Sequence, residues 1–179
     1  MRKALYLLAA INDRDFEWFL TSGKHTNILA GSTLINEGLR IDALYIVLKG
    51  TFSVSVEATG GKEIARIGSG EVLGEISLID SRPPSATVKA LEDSIVWAIP
   101  RMQLNTKLSQ DVSFSSHFYQ AIATFLSDRL RNTVSRLGDF DHSTDDNSIL
   151  PEEDTLNPQL FNKLELAKAR LEWLISHQS

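Results

Sequence analysis

The sequence predicts an α+β chain in which a block of short antiparallel strands sits between helical ends. Three observations predict it. Between Thr26 and Trp97, short β-branched or alternating runs follow one another with glycines between them. Before Gly23 and after Pro100, apolar residues recur instead at steps of three and four. The 179 residues are 42% hydrophobic and 23% charged, enough to bury one core with something appended and too apolar for a disordered chain.

Residues 1–11 and Asp13–Ser22 read as two short helices, the second with Phe16, Phe19 and Leu20 at helical spacing and Gly23 ending it. The apolar run Ala4–Ile11, preceded by Arg2 and Lys3, superficially resembles the start of a secretory leader. It is far too short to span a bilayer, and Asp13, Arg14 and Asp15 follow at once with no clear processing site. A cytoplasmic protein with no membrane partner is therefore expected, and the absence of cysteine suits a reducing compartment.

The strand block then runs through Ile28-Leu29, Thr33–Ile35, Leu44–Leu48, Phe52–Val56 and Ile64–Ile67, with turns at Gly31, Gly38, Gly50, Gly60-Gly61 and Gly68. Phe52, Val54 and Val56 alternate with Ser53 and Ser55, so one face of that strand is expected to be buried and the other wet. Val72-Leu73, Ala86–Val88 and Ser94–Trp97 continue the sheet. Pro100 opens a short helix, and a long one follows from about Asp111 to Leu137.

Along that long helix Tyr119, Ile122, Leu126, Leu130, Val134 and Leu137 form one stripe. Phe114, Phe118 and Phe125 supply a second apolar face toward the sheet, which leaves the first stripe for a partner helix, and a homodimer is expected. Residues 138–158 hold seven acids (Asp139, Asp141, Asp145, Asp146, Glu152, Glu153 and Asp154) and no lysine or arginine, the composition of a solvated linker. A last amphipathic helix follows, with Leu160, Phe161, Leu164, Leu166, Leu171, Trp173, Leu174 and Ile175. The expected organisation is 1–110 for the strand domain with its N-terminal helices, 111–137 for the dimer helix, 138–158 for the linker and 159–179 for the final helix.

Charge and composition exclude several functions. Eighteen basic residues against 23 acidic ones give a net charge of −5, with no global basic excess to hold nucleic acid. Without cysteine there is no disulfide framework, zinc-thiolate site or cysteine nucleophile. His25, His117, His142 and His177 are scattered without an i, i+4 pair, and neither a nucleophile elbow nor a P-loop is present. Gly68, Gly70 and Gly74 nearly spell a dinucleotide fingerprint, but the last gap is one residue too long and no long helix follows. The acids and His142 of the linker lack the ligand spacing of a calcium loop. No enzyme, metal site or required cofactor is expected.

The informative stretch is Gly68–Ala90. Gly74-Glu75-Ile76-Ser77-Leu78-Ile79 reads as one helical turn after a short strand and before the breaker Asp80-Ser81-Arg82-Pro83-Pro84. The start of such a turn exposes unpaired N–H groups, and Gly74 allows a ligand to come close to them. This is a setting for an anion. Glu75 repels phosphate there but accepts hydrogen bonds from sugar hydroxyls.

That stretch, with Pro83-Pro84-Ser85-Ala86-Thr87-Val88 after the turn, resembles the phosphate-binding cassette of the cyclic-nucleotide-binding domain family, the type found in catabolite activator protein and protein kinase A regulatory subunits. Ala43–Gly50 resembles the family's earlier strand and turn, the helix after Pro100 resembles its dimer helix, and the likeness covers about residues 12–137. The resemblance implies an antiparallel β-roll, a jelly-roll-like double-stranded β-helix, with N-terminal helices and a long C-terminal dimerisation helix. It implies that Gly74 and Glu75 bind ribose and cyclic phosphate, with Ile76, Ser77, Ser85, Ala86 and Thr87 completing the cassette. It also implies a fault: Pro84 stands where the family's phosphate-binding arginine belongs, and proline brings neither a charge nor an N–H. A charge-assisted contact of that kind contributes about 1.5–3 kcal/mol, so the site is expected to bind cyclic AMP poorly. Arg82, two positions earlier, is the nearest substitute and reads first as a solvated turn residue.

Relatives of catabolite activator protein carry a winged helix-turn-helix after the dimer helix, whereas 42 residues follow Leu137 here, half of them acidic linker. A stand-alone bacterial-type member with a degenerate cassette and no DNA-reading domain is expected. Two functions remain. One is a dimeric sensor of a cyclic nucleotide or related anion that relays occupancy through the long helix to an unknown protein partner. The other is a ligand-free adaptor whose pocket has decayed and whose last helix docks on another protein or back on the barrel.

Overall fold

The apolar run at the start of the chain becomes the middle of a helical layer. In the computed structural model, which describes residues 3–138 and 158–177, it forms helix α1 (Lys3–Ala10), every residue of which from Ala4 to Ala9 is buried. Helix α2 (Asp13–Ser22) starts at a capping box: Asp15 N–H donates to Asn12 Oδ1 at 2.9 Å, and Asn12 N–H reaches the Asp15 carboxylate.

Eight strands follow: β1 (Lys24–Ile28), β2 (Thr33–Ile35), β3 (Ala43–Lys49), β4 (Phe52–Ser55), β5 (Glu63–Ile67), β6 (Val72–Leu73), β7 (Thr87–Ala90) and β8 (Ser94–Pro100). They form two antiparallel four-stranded sheets, in the orders β1-β8-β3-β6 and β2-β7-β4-β5. The fold is therefore the expected α+β roll. A 3-10 turn at Glu57–Thr59, unsignalled in the sequence, carries the chain from β4 to β5.

The first sheet is covered on both faces, which explains why β3 reads as an unbroken apolar run rather than an alternation. Leu44, Ile46 and Leu48 pack toward the helices, while Ala43, Tyr45 and Val47 point into the roll. The roll is lined further by Phe52, Leu73, Val88, Ala90, Val96 and Ala98. Edge strand β5 is solvent-exposed and carries the Glu63–Arg66 ion pair at 2.7 Å, a charged edge that discourages pairing with other chains.

Four more helices follow among the described residues: the short α3 (Glu75–Asp80), α4 (Arg101–Gln110), α5 (Val112–Gly138) and α6 (Pro158–Ser176). Phe114, Phe118, Ala121, Ile122 and Phe125 of α5 are buried against the helical core. Each fully buried phenylalanine contributes roughly 1.5–3 kcal/mol. Here the structure corrects the expected stripe. Ile122 belongs to the inner face, because it shares the i, i+4 row of Phe118 and packs in the same core as α1, and Leu126 is half-buried beside it. Tyr119, Leu130 and Val134 are exposed, the last two at 64% and 58%. The Leu137 side chain and the acidic segment 139–157 lie outside the described residues, as do the side chains of Leu160 and Phe161.

Helix α6 folds back onto its own chain. Ala167, Leu171 and Leu174 are buried in the core that holds α1. Arg170, 4% exposed, donates to the Leu8 and Ile11 carbonyls at 2.6 and 2.7 Å and to Asp13 Oδ1 at 2.6 Å, so it satisfies the open C-terminal end of α1. Its guanidinium lies 5.1 Å over the Phe16 ring. The Leu174 carbonyl meets His25 Nε2 at 2.6 Å, and His25 stands edge-on to Trp97.

Candidate functional site

Strand β6 pairs with β3, Leu73 opposite Tyr45, and delivers the chain to Gly74. Gly74 adopts φ +88°, a left-handed conformation open to glycine without strain, and from it helix α3 (Glu75–Asp80) departs with no side-chain cap. A side chain at position 74 has no room: a Cβ would stand 2.4 Å from Ile41 Cδ1 and 3.0 Å from the Ala43 carbonyl oxygen. The glycine is thus required by its backbone conformation and by packing against the loop before β3. The space on that side of Gly74 is taken by Ile41 rather than left for a ligand.

Glu75 is buried, 4% exposed. One of its partners is Lys3 at the start of α1, with Nζ 3.6 Å from Glu75 Oε1 and 3.3 Å from Glu71 Oε2. The ammonium also lies 5.7 Å from the centre of the Phe125 ring. The neighbouring backbone joins the same arrangement, since Ala4 N–H donates to the Gly70 carbonyl at 2.9 Å. The first turn of the cassette is therefore tied to the N-terminal helix, a link that no residue pattern announced.

A second tie runs to the hinge. Arg101, the first residue of α4, donates from its guanidinium to the Ser77 carbonyl at 2.9 Å and to the Ile41 carbonyl at 3.5 Å, and its N–H donates to the Asp42 carbonyl at 2.7 Å. Sequence reasoning missed this arginine. The only available signal was a cation directly after Pro100 at a helix start, where dipole considerations favour an acid.

The remaining predicted residues are spread along the rim. Ser77 is buried, whereas Ile76 is 45% exposed on the outer side of α3. The Arg82 side chain is 83% exposed, 3.6 Å from Asp80, and its N–H donates to Asp80 Oδ1 at 3.0 Å. It is a turn residue here and does not stand in for the arginine missing at Pro84. Ser85 is exposed, and Ala86 and Thr87 are half-buried. Thr87 Oγ1 accepts the Glu37 N–H at 3.1 Å and the Pro84 carbonyl accepts the Gly38 N–H at 2.9 Å, which strap the 36–38 turn to the end of the cassette.

Inside the roll the lining is apolar apart from the Tyr45 hydroxyl, which donates to Asp42 Oδ1 at 3.2 Å. Burial first, and the adjacent Asp42 carboxylate second, push the Tyr45 phenol up to about 12, so it is a neutral donor at any physiological pH. An open groove between α2 and α4, with Trp18 and Lys107 in its wall, includes none of the cassette residues. Among the described residues no cluster of three or more His, Cys, Asp or Glu side chains is placed to hold a metal, and no helix is long and apolar enough to cross a membrane.

Chemically, the arrangement offers a buried carboxylate for hydroxyl groups and no described cation at the cassette that is free of protein partners. A family model described as the cyclic nucleotide-binding domain matches residues 25–111. An uncharacterized NTE family protein of Mycobacterium tuberculosis is 32% identical over 120 residues, which are 67% of this chain and 20% of that protein. The chain thus spans about a fifth of the length of that relative. Among solved structures, a cyclic nucleotide-binding domain from Methylobacillus flagellatus is similar with a TM-score of 0.66 and 21% identity, over 82% of this chain and 85% of that one. The regulatory domain of Toxoplasma gondii PKA, solved with cAMP, is similar with a TM-score of 0.53 and 26% identity, over 56% of this chain and 39% of that one.

Proposed function

We propose that the chain, whose residues 25–111 match the model of the cyclic nucleotide-binding domain family, is a regulatory module whose cassette, Gly74–Thr87, senses a cyclic nucleotide or a related ribose-bearing ligand. Occupancy is relayed to the helices. The observation that carries this reading is the Arg101 contact, which ties the Ser77 carbonyl in the cassette to the first residue of α4 at 2.9 Å. A ligand that shifts the first turn of α3 must either move Arg101 with it or break that bond, so the start of α4 has two arrangements that a ligand can bias. Tyr119, Leu130 and Val134 on the exposed face of α5 are then the seam for a second copy, and a dimer reports the shift to a downstream protein.

Glu75 supplies the ribose contact, and without an arginine at position 84 the affinity for cyclic AMP is low. The role is regulatory rather than catalytic.

A second reading is favoured by a specific observation. Ile41 fills the space beside Gly74, and Glu75 already has Lys3 as a partner, as a ligand-free adaptor with a decayed pocket requires. Calorimetric titration with cyclic AMP, cyclic GMP and cyclic dinucleotides separates the two. Saturable heat that Glu75→Ala abolishes while the protein stays folded supports the sensor. Silence with all of these ligands at millimolar concentration supports the adaptor.

A further inference from the structure

Lys3 stands between two acids, Glu71 and Glu75, at 3.3 and 3.6 Å. Its own side chain is 19% exposed and that of Glu75 is 5% exposed, so the pair is well shielded from water and interacts more strongly than a surface pair. We propose that Lys3 is an intramolecular competitor for Glu75: a hydroxyl-bearing ligand and the start of α1 contend for the same carboxylate, and Lys3 thereby sets the affinity of the site. The proposal rests on Glu75 being the hydroxyl acceptor of the preceding reading.

The argument is one of linkage. In the ligand-free chain the Glu75 carboxylate is partly neutralised by Lys3. A sugar hydroxyl that donates a hydrogen bond to Glu75 reduces what the ammonium gains there, and by reciprocity the ammonium weakens the hydroxyl contact by the same factor. Couplings of this kind typically change affinity by about 5-fold or more. Lys3 cannot serve instead as the missing phosphate partner, because its single charge is already shared between two carboxylates at 3.3 and 3.6 Å.

The contact also connects the ligand to a second helix. Ala4 N–H is bonded to the Gly70 carbonyl next to the salt bridge, so losing Lys3 from Glu75 loosens the first turn of α1. That helix packs against α5 and α6. Occupancy thus reaches the helical layer from the N-terminal side as well as through Arg101.

The test is titration of wild type, K3Q and K3R with adenosine and with cyclic AMP, together with hydrogen exchange of residues 4–10. Expected are at least about 5-fold tighter adenosine binding by K3Q than by wild type and a wild-type value for K3R. Wild type saturated with adenosine should exchange faster at residues 4–10. Equal adenosine affinity of wild type and K3Q, or unchanged exchange in saturated wild type, overturns the competition and leaves the ligand reading standing. Silence of all three folded proteins toward both probes overturns the ligand reading and the competition together. If K3Q does not fold, K3M and the wild-type exchange measurement decide the matter alone.

Discussion

Replacing Gly74 by alanine tests how the cassette is built, and its cost can be worked from the structure. The backbone at Gly74 has φ +88°, and holding an L-residue in the left-handed region costs about 1–2 kcal/mol. The new Cβ meets Ile41 Cδ1 at 2.4 Å and the Ala43 carbonyl oxygen at 3.0 Å, and overpacking of this sort costs roughly 1–3 kcal/mol. Together they predict a loss of about 2–5 kcal/mol, a large part of the stability of a domain this size. Ile41→Val removes the offending methyl at a cost of about 0.5–1.5 kcal/mol by itself. The double variant should then be more stable than the two single losses predict, with a coupling of about 1 kcal/mol. Urea unfolding followed by Trp fluorescence and circular dichroism measures all four proteins. A Gly74→Ala protein within about 0.5 kcal/mol of wild type, or strictly additive losses in the cycle, refutes the packing described for the cassette.

Other consequences follow from the same contacts. Arg170→Met leaves the Leu8 and Ile11 carbonyls without their donor and should cost about 2–4 kcal/mol in chemical unfolding; little of that belongs to the ion pair, because Asp13 is 92% exposed, and a neutral outcome contradicts the docking of α6. Leu130→Asp should give folded monomers in sedimentation, since the residue is 64% exposed in the single chain, whereas an intact dimer refutes the α5 seam. Pro84→Arg should tighten cyclic AMP binding about 10-fold or more while leaving adenosine unaffected, and equal gains for both argue against a phosphate contact at that position. Tyr45 has its folded-state pKa raised from 10.0 to about 12, so its stabilising effect is complete below pH 10 and is lost as the pH rises toward 12. Ultraviolet titration of phenolate should show one late-titrating tyrosine or unfolding within that window, and Tyr45→Phe should shift the alkaline limit upward.

Much of this architecture is legible in the residues because local and tertiary demands agree. The apolar run Leu44–Leu48 reads as a strand and is one, and its lack of alternation is explained by the structure, which covers it on both faces. The glycine at 74 marked the turn into α3, and its left-handed backbone explains why. What periodicity could not show is which face of a helix another helix covers. Ile122 fits the outer stripe of α5 and the inner row of Phe118 equally well, and only the packing of α1 decides between them. The ties at the site were hidden for a related reason. Lys3 and Glu75 are 72 positions apart, and Arg101 bonds to backbone carbonyls, which carry no residue signature. Arg170 likewise reads as an ordinary charge on the polar side of the last helix until α1 is seen to end beside it.

Hydrogen exchange of residues 101–110 with and without saturating cyclic AMP, in wild type and in Arg101→Gln, addresses the proposed relay most directly. Changed protection at the start of α4 in the occupied wild type, absent or strongly reduced in the occupied Arg101→Gln protein, is the result expected. A wild-type protein that binds the nucleotide while α4 keeps its protection unchanged, or an Arg101→Gln protein whose α4 responds as fully as wild type, contradicts transmission from Ser77 through Arg101.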